Sequence, residues 1–310
     1  MAENPPTAAD VDRAAERING RVRVTPVIDL GAALPGLGDV SVLLKLELLQ
    51  HTGSFKVRGA YNRVLGAGSP PLLVAASGGN HGLAVAYVAR QLGLRAEIFV
   101  PTTAPSVKLD GLRSLGGDVS LVGTTYAEAL VASMERAERS GALMVHAYDS
   151  MEVVAGQGTV GRELDQQASV DTVLVATGGG GLVGGIATWW AGRARIVSVE
   201  PEGAATLHTA LAAGRPVDVP VRSVAADSLG ASRVGSPGYA AAVRAGVVPV
   251  LVSDTDILRA RAWLWSELRI AAEPGGATAL AGLLSAAYRP GPGDRVAVVV
   301  CGGNASPADL

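Results

Sequence analysis

Residues 72–100 read LLVAASGGNHGLAVAYVARQLGLRAEIFV, and this stretch decides the fold class. An apolar run at 72–76 is followed by a glycine-rich turn, a helix-like run at 81–92 and a second apolar run at 95–100. Short, continuously apolar strands joined by helices of this length are typical of parallel sheets that are covered on both faces. The stretch therefore predicts an α/β fold.

The same alternation continues on both sides of this stretch. Further strands are predicted at 42–47, 118–122, 172–176, 196–200, 248–252 and 296–301. Helices are predicted at 7–18, 106–115, 126–139, 160–164, 182–190, 206–213, 257–269 and 277–287. Because a second alternating series begins near Gly156, we predict two domains. Residues 72–146 would form a small α/β domain, and residues 1–71 and 147–310 a larger, discontinuous one.

Composition narrows the class of protein and its partners. The 310 residues are 48% hydrophobic and 17% charged, with a net charge of −2, which gives no reason to expect nucleic acid or an anionic membrane as a partner. No apolar run approaches the ~20 residues of a membrane helix. The single cysteine excludes an internal disulfide, and the polar N-terminus does not resemble a signal peptide. We therefore expect a cytoplasmic protein.

A lysine between small residues is the first candidate for chemistry. Residues 51–60 read HTGSFKVRGA and lead into a helix-like run. Ser54 or Thr52 is expected to cap this helix, which would place the Lys56 amine near a helix N-terminus. There the helix dipole and Arg58 would favour a neutral amine, able to attack a carbonyl and form a Schiff base. A solvated lysine in a turn explains these ten residues equally well.

A second candidate is the loop that follows the strand at 72–76. Its sequence is Ser77-Gly78-Gly79-Asn80-His81-Gly82, between a buried strand and a helix N-terminus. Open α/β sheets bind ligands at the carboxyl ends of their strands, and backbone amides exposed by small residues suit a carboxylate. Taken alone, the loop is explained as well by a structural glycine-rich turn.

A run of glycines forms the third candidate, again between a strand and a helix. Thr177-Gly178-Gly179-Gly180-Gly181-Leu182 brings together four residues that each cost conformational entropy. We expect their backbone amides to close on a phosphate. A rival interpretation is a dinucleotide fingerprint at Gly179, Gly181 and Gly184, with Glu200 as the ribose-binding acid of a nicotinamide-dependent dehydrogenase.

Two further segments follow near the C-terminus. Cys301-Gly302-Gly303-Asn304 ends an apolar strand, where a ligand contact and a small core residue are equally good interpretations. Glu273 precedes Pro274 and Gly275 at the start of a helix, and we expect it to be a dipole partner rather than a ligand. Arg58 is expected to be a structural ion-pair partner or dipole partner.

In their order along the chain, the four motifs around Lys56, Asn80, Gly178–Gly181 and Cys301 resemble the serine/threonine dehydratase group of fold-type II pyridoxal-phosphate enzymes. The resemblance extends from about residue 25 to residue 304, nearly the whole chain. It implies a tryptophan synthase β-like fold, with two open, twisted, mostly parallel sheets flanked by helices. Pyridoxal 5′-phosphate would bind between the two domains.

The resemblance also implies a role for each motif. Lys56 would hold the cofactor and move the α-proton of the substrate, and Phe55 would pack against the pyridine ring. Asn80 would contact the phenolic oxygen of the cofactor, and Cys301 would face the pyridine nitrogen. The phosphate would be held by Gly178, Gly179, Gly180, Gly181 and Leu182. The substrate carboxylate would be held by Ser77, Gly78, Gly79, Asn80 and His81.

The implied reaction is β-elimination from a small β-hydroxy amino acid, L-threonine or L-serine, giving a 2-oxo acid and ammonia in a homodimer. Serine racemase and hydroxyaspartate dehydratase are alternatives on the same fold. The racemases carry a serine as the second acid/base where this chain has Gly78, which favours the dehydratase. Outside this class, a nicotinamide-dependent dehydrogenase and a catalytically silent ligand-binding homologue remain open.

Some members of the resembled group bind a structural divalent cation. Glu200 and the carbonyl of Ala204 match two of its ligands, but Thr206 stands where a second carboxylate is expected. Loss of a hard anionic ligand weakens a Mg²⁺ or Ca²⁺ site. We therefore expect no tightly bound metal.

Overall fold

The strands form two separate sheets. The computed structural model describes residues 5–305, apart from residues 33, 35 and 69. Six strands form the larger sheet in the order β1-β2-β10-β7-β8-β9. Their bounds are β1 Val27–Asp29, β2 Ser41–Lys45, β7 Thr172–Ala176, β8 Arg195–Pro201, β9 Val248–Val252 and β10 Arg295–Val299. All neighbours pair in parallel except β1 and β2.

The smaller sheet is parallel throughout and has the order β5-β4-β3-β6. Its strands are β3 Leu72–Ala76, β4 Arg95–Val100, β5 Asp118–Leu121 and β6 Leu143–Met144. The central strands are apolar because helices cover both of their faces, as the sequence predicts. Strands β5 and β6 at the edges are short and only partly buried.

Helices connect the strands of both sheets. The first six are α1 Ala8–Ile18, α2 Lys56–Gly66, α3 Asn80–Leu92, α4 Ser106–Ser114, α5 Tyr126–Ser140 and α6 Met151–Gln167. They are followed by α7 Gly181–Trp190, α8 Thr206–Ala213, α9 Ala226–Leu229, α10 Ser236–Ala245, α11 Asp254–Leu268 and α12 Pro274–Leu284. Within the described residues, no helix has both the length and the apolar character needed to cross a membrane.

Helix α2 joins the two sheets. Its residues Val57, Ala60 and Val64 belong to a hydrophobic cluster that they share with β3, α3 and β4. The opposite side of α2 lies against α6, where the Gly59 amide donates to Gln157 at 3.1 Å. The helix that begins at Lys56 is therefore held from both sides. The domain boundaries at residues 71/72 and 146/147 stay a prediction.

Helix α6 is much longer than the sequence predicts. The sequence predicts a helix at 160–164, whereas α6 begins at Met151. Ser150 is its N-cap residue, and the Ser150 side chain accepts a hydrogen bond from the Val153 amide. The glycines inside α6 make the helix hard to recognise in the sequence, because glycine has a low helix propensity. They are needed for packing on α7: a Cβ at Gly158 would lie 2.8 Å from the Gly185 carbonyl oxygen.

Candidate active site

The loops after β3, β7 and β10 converge on two adjoining cavities. The more open one is a cleft of ≈ 360 Å³ lined by Lys56 and by all five residues Ser77–His81. The deeper one is lined by Phe55, Lys56, Asn80, Gly178–Gly181, Leu182 and Cys301, among others. Lys56 and Asn80 line both. The structure thus brings together every residue for which the sequence predicts a catalytic, cofactor-binding or substrate-binding role.

Lys56 is the first residue of α2, and its amine lies in a desolvated position. Nζ donates to the Ala147 carbonyl oxygen at 2.9 Å. Burial lowers the pKa of Lys56 to about 8, against the opposing influence of Cys301 and Glu273. A neutral amine is therefore accessible near physiological pH, as a nucleophile or base requires.

The expected cap of α2 is wrong, and so is the expected cause of the lowered Lys56 pKa. The α2 N-cap is Phe55, and no side chain caps the helix; the buried hydroxyls of Thr52 and Ser54 have no hydrogen-bond partner among the described residues. The Arg58 guanidinium is paired with the carboxylates of Glu47 and Glu163, and its charge is not what lowers the Lys56 pKa. Burial alone has the effect that was assigned to local charges.

Arg58 is a buried ion-pair partner, as predicted. Its side chain is 1% exposed and bonds Glu47 through Nε at 2.8 Å and Nη2 at 2.7 Å. Nη2 also lies 3.0 Å from Glu163, which in turn pairs with Lys45. The network fixes the first turn of α2 to the segment before it and to α6.

The glycine loop has the properties of an anion-binding site. Its start is held by the Thr177 amide, which donates to Val199. In contrast, the amides of Gly178, Gly179 and Gly180 donate to no acceptor among the described residues, and the first amides of α7 lack intrahelical partners. These donors line the deeper cavity. A phosphate group fits this cradle of unpaired amides at a helix N-terminus.

Close packing explains why side chains are absent from the loop. A Cβ at Gly178 would lie 2.9 Å from the Leu229 backbone, and one at Gly179 would lie 2.2 Å from the Tyr148 ring. Gly180 has φ +84°, which favours glycine. The loop therefore approaches its neighbours as closely as backbone allows.

Cys301 lines the deeper cavity together with the glycine loop. Its side chain is buried, and Sγ donates to the Gly275 carbonyl oxygen at 3.5 Å. Burial raises the pKa of the Cys301 thiol to about 12, so that it stays uncharged. A neutral thiol suits a ring nitrogen that is not held protonated, which is the role implied for Cys301.

The loop 77–81 lines the cleft with small groups. Its backbone turns where the Gly79 amide donates to Ser77 Oγ at 3.2 Å. His81 was expected to offer a donor to a ligand, but its Nε2 donates to the Val145 carbonyl at 2.8 Å. Burial lowers the pKa of His81 to about 3, which keeps the imidazole neutral.

Glu273, which the sequence predicts to be a dipole partner, also lines the deeper cavity. It is the N-cap residue of α12, yet its side chain makes no capping bond. Instead Oε1 accepts from Asn80 Nδ2 at 2.6 Å, and burial raises the pKa of Glu273 to about 7. From the sequence, its position at a helix start favours a dipole partner over a ligand.

Tyr148 is a site residue that the sequence did not reveal. It lines both cavities, and its ring covers Gly179. The neighbouring Ala147 carbonyl accepts from Lys56. These residues follow β6, a strand of two residues that is too short to leave a periodic signal in the sequence.

Glu200, the metal and ribose candidate, is already engaged by protein. Its two carboxyl oxygens accept from the amides of Leu207 at 2.7 Å and His208 at 2.8 Å, at the start of α8. Burial raises its pKa to about 7. Glu200 is also fully buried, and this burial disfavours the dehydrogenase interpretation, because a ribose-binding acid must reach its ligand. The absence of a tightly bound metal stays a prediction.

Comparison with known proteins agrees with this geometry. The family model described as pyridoxal-phosphate dependent enzyme matches residues 18–302. A biosynthetic L-threonine dehydratase of Mycobacterium leprae is 38% identical, over 97% of this chain and 73% of the relative.

Solved structures with the same fold include a threonine deaminase from T.th. and a maize serine racemase. The deaminase has a TM-score of 0.89 and 33% identity, over 97% of this chain and 99% of its own. The racemase has a TM-score of 0.91 and 30% identity, over 98% of this chain and 95% of its own. Because the family model spans most of the chain and these relatives match it over nearly its whole length, the chain belongs to the fold-type II pyridoxal-phosphate dependent enzymes, in the group that contains the threonine dehydratases.

Proposed function

We propose that this enzyme is an ammonia-lyase that converts L-threonine, L-serine or both to a 2-oxo acid and ammonia. The observation that carries the proposal is the position of Lys56 Nζ, at the junction between the glycine-loop cavity and the open cleft. An amine there reaches a cofactor held by the loop and a substrate that enters by the cleft. The threonine dehydratases and deaminase among the relatives support the same reaction.

When bound, pyridoxal phosphate withdraws electrons from the α-carbon of an amino acid. The amides of Gly178–Leu182 would hold its phosphate, and Phe55 would pack beside its ring. Asn80 donates one Nδ2 proton to Glu273, and the second is available for the phenolic oxygen of the cofactor. The loop 77–81 receives the carboxylate of the substrate. These residues fix the α-carbon within reach of Lys56.

Lys56 removes the α-proton, and its lowered pKa suits a base that works near neutral pH. The β-hydroxyl then leaves with a proton as water, and the released enamine reacts with water to give the 2-oxo acid and ammonia. Cys301 supplies no positive charge to the ring nitrogen, because a thiol with its raised pKa is a poor acid and stays uncharged. A weaker electron sink favours prompt elimination over slower reactions at the α-carbon.

Serine racemization is the second candidate, since the maize racemase has the same fold. Racemization requires an acid/base on the face of the α-carbon opposite Lys56. Gly78, at the position where racemases carry a serine, has no side chain, and an added Cβ would meet Val100 at 3.1 Å. Lys56 then acts alone, which favours elimination.

The deciding experiment measures products. Purified protein loaded with pyridoxal phosphate is incubated with L-threonine and L-serine, and the 2-oxo acid, ammonia and D-serine are quantified. We expect equal amounts of 2-oxo acid and ammonia and little D-serine. Appreciable D-serine, or no 2-oxo acid from either substrate, would contradict the proposal.

The Lys56→Ala variant tests the assigned base. Wild-type protein should show the visible absorbance of bound cofactor, and borohydride reduction should leave a mass increment on Lys56. The variant should lose both signals and at least ~10³-fold of the activity. A colourless protein that binds NAD would support the dehydrogenase instead. A coloured protein without product would indicate the silent homologue.

We propose further that the enzyme is a cytoplasmic homodimer. Leu258 and Trp265 on α11 are 44% and 42% exposed. They are seven residues apart, which is about two helical turns, so they lie on the same face of the helix. Such apolar residues on one helix face are suited to contact a second copy. Light scattering of the purified protein gives the molar mass that tests this assembly.

A further inference from the structure

Lys108 and Asp227 form an ion pair in the wall of the open cleft. Lys108 on α4 follows the smaller sheet's β4, and Asp227 on α9 follows β8 of the larger sheet. Lys108 Nζ bonds Asp227 Oδ1, and both residues line the cleft together with Lys56 and the loop 77–81. The pair is partly open to solvent, with side-chain exposures of 31% and 57%.

The rest of the cleft wall carries no charge that could attract an anion. Apart from Lys56 and Lys108, the described residues that line it are glycines, hydroxyl-bearing, apolar or amide side chains, His81 and Asp227. His81 is neutral and its Nε2 is engaged by Val145. Lys56 serves the reacting carbon. Lys108 is therefore the cation of the cleft wall that a distal carboxylate would use.

We propose that Asp227 is a specificity-determining residue: its pairing with Lys108 restricts the cleft to β-hydroxy amino acids with uncharged side chains and excludes dicarboxylates such as β-hydroxyaspartate. This inference rests on the proposed function, because it names the substrate class of the same site. A second carboxylate would have to displace Asp227 from Lys108 and remain beside a like charge. Exclusion by an unfavourable charge is a common source of specificity.

The test compares two substrates in the same protein. The ratio of kcat/KM for β-hydroxyaspartate to kcat/KM for L-threonine is measured in the wild type, Asp227→Asn and the double variant Asp227→Asn/Lys108→Gln. We expect a low ratio in the wild type, a rise of about tenfold in Asp227→Asn, and a return to the low value in the double variant. Steps common to both substrates cancel in this ratio.

Binding supplies a readout that does not depend on turnover. Succinate, a dicarboxylate without an amino group, is titrated into the holoenzymes by calorimetry at low ionic strength. Its affinity should rise about tenfold in Asp227→Asn and fall again in the double variant, and salt should weaken the difference because both groups are partly exposed. A role of the pair confined to holding the two sheets together would change both substrates alike and leave succinate affinity unmoved.

The outcomes separate this inference from the proposed function. A wild type that uses L-threonine and β-hydroxyaspartate equally well overturns the inference and leaves the ammonia-lyase intact. The same holds if Asp227→Asn leaves both the ratio and succinate affinity unchanged. A wild type without activity on threonine or serine contradicts the proposed function, and the succinate series still decides whether Asp227 excludes a second carboxylate.

Discussion

Asn80 Nδ2 donates to Glu273 Oε1 at 2.6 Å, and this bond joins the loop after β3 to the start of α12. The other end of the Asn80 amide accepts from Asn304 Nδ2 at 2.7 Å. Three segments that are far apart in the chain thus fix one amide at the border between the two cavities. The bond also places a buried carboxyl group beside the proposed cofactor site.

Glu273→Gln should change how stability depends on pH. Burial raises the pKa of Glu273 from 4.5 to about 7, so the folded protein binds this proton more tightly than the unfolded chain. The free energy of unfolding therefore falls as pH rises from about 4.5 to about 7, by an amount on the order of 3 kcal/mol for this group. Glutamine removes that contribution.

Urea unfolding of the cofactor-free protein at pH 5 and pH 8 measures this difference. Glu200 has a pKa raised in the same direction, so the variant should keep part of the pH dependence and lose the share that belongs to Glu273. Equal pH dependence in wild type and variant would show that Glu273 does not titrate between these values.

The fold was largely predictable because buried parallel strands are continuously apolar. The runs at 72–76, 95–100 and 172–176 coincide with β3, β4 and β7. Strands β1 and β6, of three and two residues, leave too little pattern to be recognised. Helix α10 lies in a glycine-containing segment that the sequence left without an assigned element.

The site was predictable where adjacent residues carry the chemistry, as in the glycine loop. It was not predictable where residues meet only in the fold. Asn80 and Glu273 are 193 positions apart, and no local pattern predicts their bond. Likewise, the lowered pKa of Lys56 arises from burial, which depends on the packing of both sheets around α2 and not on Arg58.

Arg58→Met should destabilise the protein strongly, by about 3–5 kcal/mol, because it leaves Glu47 buried without its cation. The matched control is Arg63→Met on the same helix. Arg63 pairs with Glu152 at 3.1 Å, with side-chain exposures of 28% and 46%, so its loss should cost at most about 1 kcal/mol. Urea unfolding of both variants measures the two costs. Similar values would mean that the buried network does not stabilise α2 as inferred.

Gly178→Ala should weaken cofactor binding about tenfold, because the added methyl would lie 2.9 Å from the Leu229 backbone and force the loop away from its position. Gly111→Ala is the control. That methyl would lie 3.4 Å from the end of the Leu83 side chain, an ordinary contact, inside α4. Equilibrium dialysis with pyridoxal phosphate gives both affinities. Unchanged affinity in Gly178→Ala would argue against the loop as the phosphate site.

Thr206→Val tests whether the hydrogen bond from the Thr206 hydroxyl holds the glycine loop in position. Thr206 is fully buried, and its hydroxyl donates to the Gly178 carbonyl and lies 3.2 Å from Glu200 Oε1. Valine has nearly the same shape but leaves that carbonyl without its donor, at a cost of about 1–3 kcal/mol. We expect lower stability and a several-fold loss of pyridoxal phosphate affinity.

Thr209→Val is the matched control for this support, one turn further along α8. Its hydroxyl donates at 2.6 Å to the carbonyl oxygen of Ala205, the N-cap residue of α8, and not to the loop. The control should bind the cofactor as tightly as the wild type. If the two variants lose affinity equally, the effect belongs to α8 as a whole; if neither does, the unpaired amides of the loop hold their geometry without the Thr206 hydroxyl.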